Sequence, residues 1–164
     1  NSDGKTSVTE KTPTRDHTER MLRWFGVEVE EIQTNDGKRI SVSGDAELKA
    51  KNLLIPSDIS SAAFFLTAAA CAPDSEIILE NVGLNSTRAA VVEVLRNFGA
   101  DVEILNQKEI CNEPVGDLRV AGKRNLTRRV PANLLSGKII ANLIDEIPVL
   151  AIFGTQVAGG LEVR

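Results

Sequence analysis

The stretch TRDHTERMLRWFGVEVE, from Thr14 to Glu30, decides the fold because it recurs. TRAAVVEVLRNFGADVE, from Thr87 to Glu103, follows it at a constant offset (87 − 14, 98 − 25 and 102 − 29 are all 73). Thr14-Arg15, Leu22-Arg23, Phe25-Gly26 and Val29-Glu30 return as Thr87-Arg88, Leu95-Arg96, Phe98-Gly99 and Val102-Glu103. Each copy reads as a helix closed by Gly, the residue that best accepts a left-handed helix end. An alternating strand follows in both. Each copy then continues into a second strand, Arg39 to Ser43 in the first and Asp117 to Val120 in the second. Asn35-Asp36-Gly37 between the first pair is a strong hairpin signal. A longer loop holding Pro114 and Gly116 is expected to join the second pair. Self-similarity at so long a period predicts a duplicated unit that ends β-α-β-β.

Residues Leu53 to Gly122 predict a fuller version, βαβαββ. A strand over Leu53 to Pro56 leads to a helix over Ile59 to Cys71, capped by Asp58 or Ser57. A strand over Glu76 to Glu80, a helix over Thr87 to Phe98, and strands over Asp101 to Ile110 and Asp117 to Val120 complete it. Helices alternating with strands put the chain in the α/β (α+β) class, with sheets backed by helices. The helix over Ile59 to Cys71 is apolar on nearly all sides, which predicts burial on every face. A second apolar run, Lys138 to Gly154, contains Asp145 and Glu146, with Pro148 just beyond. Proline disfavours helix in the residue before it. A regular helix is therefore expected to start at Ile147 or Pro148, with both acids at or just before its N-terminus.

The 164 residues, 42% of them hydrophobic, can bury a real core and suggest one domain or slightly more. The formal charge of −4 argues against a nucleic-acid binder, because no basic block can neutralise phosphates in series. Lys123-Arg124 with Arg128-Arg129 is the longest basic cluster and reads as a solvated loop. Cys71 ends an apolar helix and Cys111 sits in a strand-like run. Neither has metal-type spacing, and both read as packing residues of a reducing compartment. With a single His and no Cys cluster, no metal site is expected. Asn1 to Lys11 is polar throughout, unlike a signal peptide. The apolar run Ala62 to Ala72 is too short to span a membrane. These features predict a soluble, cytoplasmic protein.

Two places carry chemistry. At Thr14 to Leu22 an Arg, an Asp and the only His lie where a loop becomes a helix, before the apolar Met21, Leu22, Trp24 and Phe25. Pro13 precedes them. A helix N-terminus offers unpaired N–H groups and partial positive charge. With Arg15 beside it, a phosphate or carboxylate could be held there. The plainer reading is a capping arrangement of Asp16 with Glu19. The second place is Asp145-Glu146. Two carboxylates in an apolar run are expensive unless something pairs them. The plainer reading there makes Asp145 an N-cap and Glu146 a first-turn acid.

TRDHTERML, followed by FGVEVE, resembles the 5-enolpyruvylshikimate-3-phosphate synthase family. SDISSAAFFLTAAA (Ser57 to Ala70), NSTR (Asn85 to Arg88) and LIDEIPVLA (Leu143 to Ala151) resemble the same family in the same order. The resemblance implies lobes of repeated βαβαββ units in an inside-out arrangement, with helices running through the interior. It implies that residues 1–54 end an N-terminal lobe and that 55–164 begin a C-terminal lobe, with one full unit at 53–122. It implies transfer of the carboxyvinyl group of phosphoenolpyruvate to the 5-hydroxyl of shikimate 3-phosphate, without metal or organic cofactor, in an enzyme that is a monomer. Asp145 would take the hydroxyl proton and contact shikimate 3-phosphate. Arg15 would contact its phosphate, with Thr14 alongside. Arg88 and Asp58 would fix geometry near the hinge between lobes, and His17 would cap or pack. Other segments of the family, including a second acid and phosphoenolpyruvate-binding cations, do not occur here, so the chain is expected to be a central fragment and inactive alone. A related enolpyruvyl transferase acting on a UDP-sugar is a rival reading, but its segments do not read TRDHTERML or IDEIP. A non-catalytic repeat module would suit the duplication but leaves Asp145 unexplained.

Overall fold

A computed structural model describes residues 3–12, 14–127 and 133–164. Pro13 and the Arg128-Arg129 pair lie outside the described residues. The chain divides into two compact units. The first is Asn1–Ile55 with Glu109–Glu113, and the second is Pro56–Lys108 with Pro114–Arg164.

The first unit runs β1 (Lys5–Glu10), α1 (His17–Trp24), β2 (Val29–Thr34) and β3 (Gly37–Ser43). The strands form an antiparallel sheet in the order β1-β3-β2, with Val8 opposite Ile40 and Val29 opposite Val42. Asn35 and Asp36 form the tight turn that the sequence predicts, and Thr34 pairs with Gly37 across it. Gly37 has φ +128 and the end of β1 crowds it: a Cβ there would lie 2.8 Å from the Glu10 carbonyl carbon. Strand β1 has no counterpart in the sequence reading. Its side chains are almost all polar and exposed, so alternating hydrophobicity carries no signal.

The second unit contains α2 (Ile59–Cys71), β4 (Glu76–Gly83), α3 (Ala90–Asn97), most of β5 (Asp101–Ile110) and of β6 (Glu113–Ala121), β7 (Leu134–Leu135), a 3-10 helix (Gly137–Asn142), α4 (Ile147–Gly154) and β8 (Glu162–Val163). The main sheet has the order β4-β6-β5, and β7 pairs parallel with β8. Leu66 from α2, Val91 and Leu95 from α3, Leu118 and Val120 from β6, and Leu150 and Phe153 from α4 meet in one fully buried core. Asp117 on the central strand steadies irregularities in both of its neighbours. Its carboxylate accepts from the Asn81 backbone N–H at 2.8 Å and from Asn106 Nδ2 at 2.7 Å. Both asparagines have left-handed φ, 52 and 51, and β4 shifts register at Asn81. The Asn106 amide, then the Asn81 N–H, hold the Asp117 carboxyl below the usual carboxylate range.

The duplication is carried by the backbone. α1 and α3 begin and end 73 residues apart (90 − 17 and 97 − 24). Each closes with matching bonds: Gly26 N to Arg23 O and Val27 N to Leu22 O, then Gly99 N to Arg96 O and Ala100 N to Leu95 O. Gly26 has φ +88 and Gly99 φ +98. Arg23 and Arg96, also paired by the offset, donate to the carbonyls of Val29 and Val102 at 3.0 and 2.7 Å. In both sheets the last strand lies in the middle.

Four expectations need correction. Residues 53–56 form no strand. Only Ser57 bridges to β4, because Pro56 has no N–H to offer a ladder. The second hairpin has a two-residue turn, Cys111-Asn112, with φ of 53 and 63, so Cys111 is not in a strand and Pro114 and Gly116 lie inside β6. Helix α2 is not buried on every face: Phe64 and Phe65 are 58% and 60% exposed. Composition shows that a helix can be covered, while its neighbours decide which side is. Asp16 precedes α1 without making a side-chain cap bond and instead accepts from Arg20 Nε at 2.9 Å. Among the described residues no helix is long and apolar enough to cross a membrane.

Gly99→Ala is expected to destabilise the chain more than Gly26→Ala does. Both force a left-handed residue to carry a Cβ, at roughly 1–2 kcal/mol. At Gly26 the new atom meets only the flexible Lys49 side chain at 3.3 Å, whereas at Gly99 it would lie 2.7 Å from the Thr127 backbone nitrogen. Overpacking should add roughly 1–3 kcal/mol there. Urea titration of each unit's unfolding would check the order, and equal losses would refute it.

Asp58 caps α2, accepting from the Ser60 and Ser61 backbone N–H groups at 3.3 and 3.0 Å. Burial is the largest single influence on its carboxyl and raises it. The Ser61 hydroxyl, the two N–H groups and Arg88 together outweigh burial and hold it below its ordinary value. A depressed folded-state pKa means stabilisation that is full above the unfolded value, about 3.9. That stabilisation is lost as pH falls through the lower folded value. Asp58→Ala should cost about 1 kcal/mol at neutral pH and Asp58→Asn much less. Thermal melts at successive pH values should show the gap between parent and Asp58→Ala closing as pH falls below about 3.9.

Candidate active site

Asp145 stands in the turn between the 3-10 helix and α4. The N–H groups of Glu146 and Ile147 both donate to the Leu143 carbonyl at 2.9 Å, and Leu143 is fully buried. Pro148 occupies the first turn of α4, where its missing N–H costs nothing. The helix start at Ile147 is the one the sequence predicts. The capping roles are not. Glu146, not Asp145, holds the N-cap position, and its side chain makes no cap bond. It turns inward, 3% exposed, and accepts a hydrogen bond from the Ser60 hydroxyl of α2. Asp145 keeps about half of its side chain open, at 48% exposure.

Arg88 joins these acids to Asp58. It lies in a tight turn before α3, built on the buried Asn85. The Asn85 side-chain oxygen accepts from the Thr87 N–H at 3.0 Å and from its hydroxyl at 2.7 Å. From this turn Arg88 Nη2 lies 3.7 Å from Asp145 Oδ2 and 3.6 Å from Asp58 Oδ1, and donates to Ser60 Oγ. At these separations the two aspartates are charge partners rather than close hydrogen-bond acceptors. Three carboxylates and one guanidinium, linked through Ser60, thus come from three helices and their leading turns. An exposed carboxylate beside a fixed cation can accept a proton or orient a hydroxyl group.

Thr14 and Arg15 belong to the first unit, in the segment leading into α1, and Asp145 belongs to the second. The Thr14 hydroxyl donates to Glu10 at 2.6 Å. Arg15 is exposed. His17 Nδ1 lies 2.7 Å from Glu113 Oε1. The sequence reading missed Glu146 and Ser60 as members of the cluster. Their signals were faint, a second acid in an apolar run and a serine beside a helix cap. Among the described residues no group of three or more His, Cys, Asp or Glu could hold a metal ion.

The family model described as EPSP synthase (3-phosphoshikimate 1-carboxyvinyltransferase) matches residues 1–164. The chain is 47% identical to the 3-phosphoshikimate 1-carboxyvinyltransferase of Bacillus licheniformis, over 96% of this chain and 35% of that protein. It is 46% identical to the Bacillus subtilis enzyme of the same name, with the same coverage. An EPSP synthase structure from Acinetobacter baumannii superposes with a TM-score of 0.83 at 41% identity, covering 98% of this chain and 35% of that one. The chain therefore spans about a third of the length of these relatives. Its β-α-β-β repeat, its TRDHTERML and LIDEIP segments and these likenesses agree: the chain belongs to the EPSP synthase family.

Proposed function

We propose that this chain serves as the middle portion of an enzyme that moves the carboxyvinyl group of phosphoenolpyruvate to the 5-hydroxyl of shikimate 3-phosphate, releasing phosphate, in aromatic amino acid biosynthesis. The half-open Asp145 carboxylate, fixed by its turn and facing Arg88, is the observation that carries this reading. The 5-hydroxyl oxygen attacks the central carbon of phosphoenolpyruvate, its proton passes to Asp145, and an acid elsewhere in the intact enzyme protonates the methylene carbon to a methyl group. The adduct then expels phosphate and loses a proton from that methyl group, which restores the double bond. Asp145 also binds the sugar hydroxyl in the ground state. The Arg15 guanidinium suits the substrate phosphate, since its fork donates two parallel N–H bonds, and Thr14 lies beside it. Family membership supports both assignments.

We further propose that residues 1–54 end one lobe and 55–164 begin the next. The parting of the two compact units between Ile55 and Pro56 supports that boundary. No metal or organic cofactor enters the chemistry, which rests on positioning and charge stabilisation.

The 164-residue chain alone should show no transferase activity, since it carries one acid of the pair that the reaction needs. Phosphate release with both substrates would test this, and turnover at an enzymatic rate would overturn it. Asp145→Asn in the full-length protein should lower kcat by about 100- to 10,000-fold. Its KM for shikimate 3-phosphate should change little, because asparagine keeps most ground-state hydrogen bonds. Loss confined to kcat marks an interaction made in the transition state. Steady-state kinetics within a few-fold of the parent would reject Asp145 as the base.

A further inference from the structure

We propose that Arg88 is a positioning residue that acts through Asp145, holding that carboxylate at the mouth of α4 in the orientation proton transfer requires. The inference rests on the proposed role of Asp145 and goes beyond it. The geometry has three parts. Arg88 Nη2 sits between two aspartates, 3.7 Å from Asp145 and 3.6 Å from Asp58, at nearly equal distances. The same nitrogen donates to Ser60 Oγ, whose own proton goes to the buried Glu146. Arg88 itself is 21% exposed, against 48% for Asp145, so the cation is sheltered while the carboxylate it faces is open.

The arrangement has a physical logic. Glu146, not Asp145, occupies the N-cap position of α4. Asp145 forms an ion pair with Arg88 at 3.7 Å. Arg88 in turn is anchored at both ends. Its backbone N–H donates to the Asn85 carbonyl at 2.9 Å within the turn that precedes α3, and its guanidinium is tied to Ser60 on α2. Asp58, already engaged as the α2 cap, is a second charge partner of the same Arg88 nitrogen. Arg88 therefore lies on a chain of contacts from α2 and α3 to the turn before α4. A reacting group misplaced by about 1 Å can lose on the order of 100-fold in rate. That sensitivity makes such an anchor functionally visible although Arg88 touches no substrate in this proposal.

A double-mutant cycle on Arg88 and Asp145 in the full-length protein tests the inference. Arg88→Met should lower kcat about 10- to 100-fold, with KM for either substrate within about threefold, and Arg88→Lys should recover part of the loss because it restores the charge without the fork. Groups that act as one unit are strongly non-additive. Adding Arg88→Met to Asp145→Asn should therefore cost less than about threefold beyond Asp145→Asn alone. If the two losses multiply, Arg88 does not work through Asp145 and the inference fails while the base assignment stands. If Asp145→Asn is itself fully active, the proposed function fails and takes this inference with it. Thermal melts accompany each variant. Should Arg88→Met unfold, the cycle is read on Arg88→Lys, where the same non-additivity supports the inference and multiplying losses overturn it.

Discussion

Placing the last strand in the middle constrains everything else in each sheet. β3 lies between β1 and β2, and β6 between β4 and β5, so each central strand must satisfy backbone donors and acceptors on both sides. The helix can then enter only between the first and second strands of its unit, and the chain must turn sharply from helix into strand. That corner is where the sequence is least free. Gly26 and Gly99 adopt left-handed conformations there, and Gly99 also faces the Thr127 backbone at a distance no Cβ could share. Arg23 and Arg96 seal the same corner by reaching forward to the carbonyls of Val29 and Val102.

Irregularity within the second sheet is controlled by polar groups rather than by packing. Asn81 and Asn106 interrupt its two outer strands with left-handed residues, a conformation asparagine tolerates better than most. The carboxylate of Asp117 spans them from the central strand. The polar cluster around Arg88 follows a similar logic on the helical side. One cation gathers acids from the starts of α2 and α4, and a serine hydroxyl carries the contact inward to the buried Glu146. Burying a carboxylate is costly unless it is hydrogen-bonded. Ser60 supplies that bond, which leaves Asp145 to face outward.

Much of this was legible in the residues. The 73-residue offset located both helices, their glycine ends and the strands that follow, because helix closure and strand entry depend on local backbone conformation. The Asn-Asp turn of the first hairpin and the start of α4 before Pro148 were read for the same reason. Strand β1 was not, since its pairing with β3 is a long-range contact and its side chains are mostly polar and exposed. The second hairpin was misread because Pro114 and Gly116, ordinarily turn residues, sit inside β6, while the real turn uses Cys111 and Asn112.

By itself the sequence determined the repeating unit, the class of fold, the family likeness and the candidate acid at Asp145. Each of these depends on the order of residues within short segments. Only the tertiary structure decided which carboxylate faces solvent and which is buried, that Glu146 rather than Asp145 holds the N-cap position, and that Arg88 stands between Asp58 and Asp145. Asp145 and Glu146 are neighbours with the same charge, and nothing local distinguishes them. What separates them is the approach of α2 and of the turn before α3, from residues 86 and 57 positions away along the chain (146 − 60 and 145 − 88).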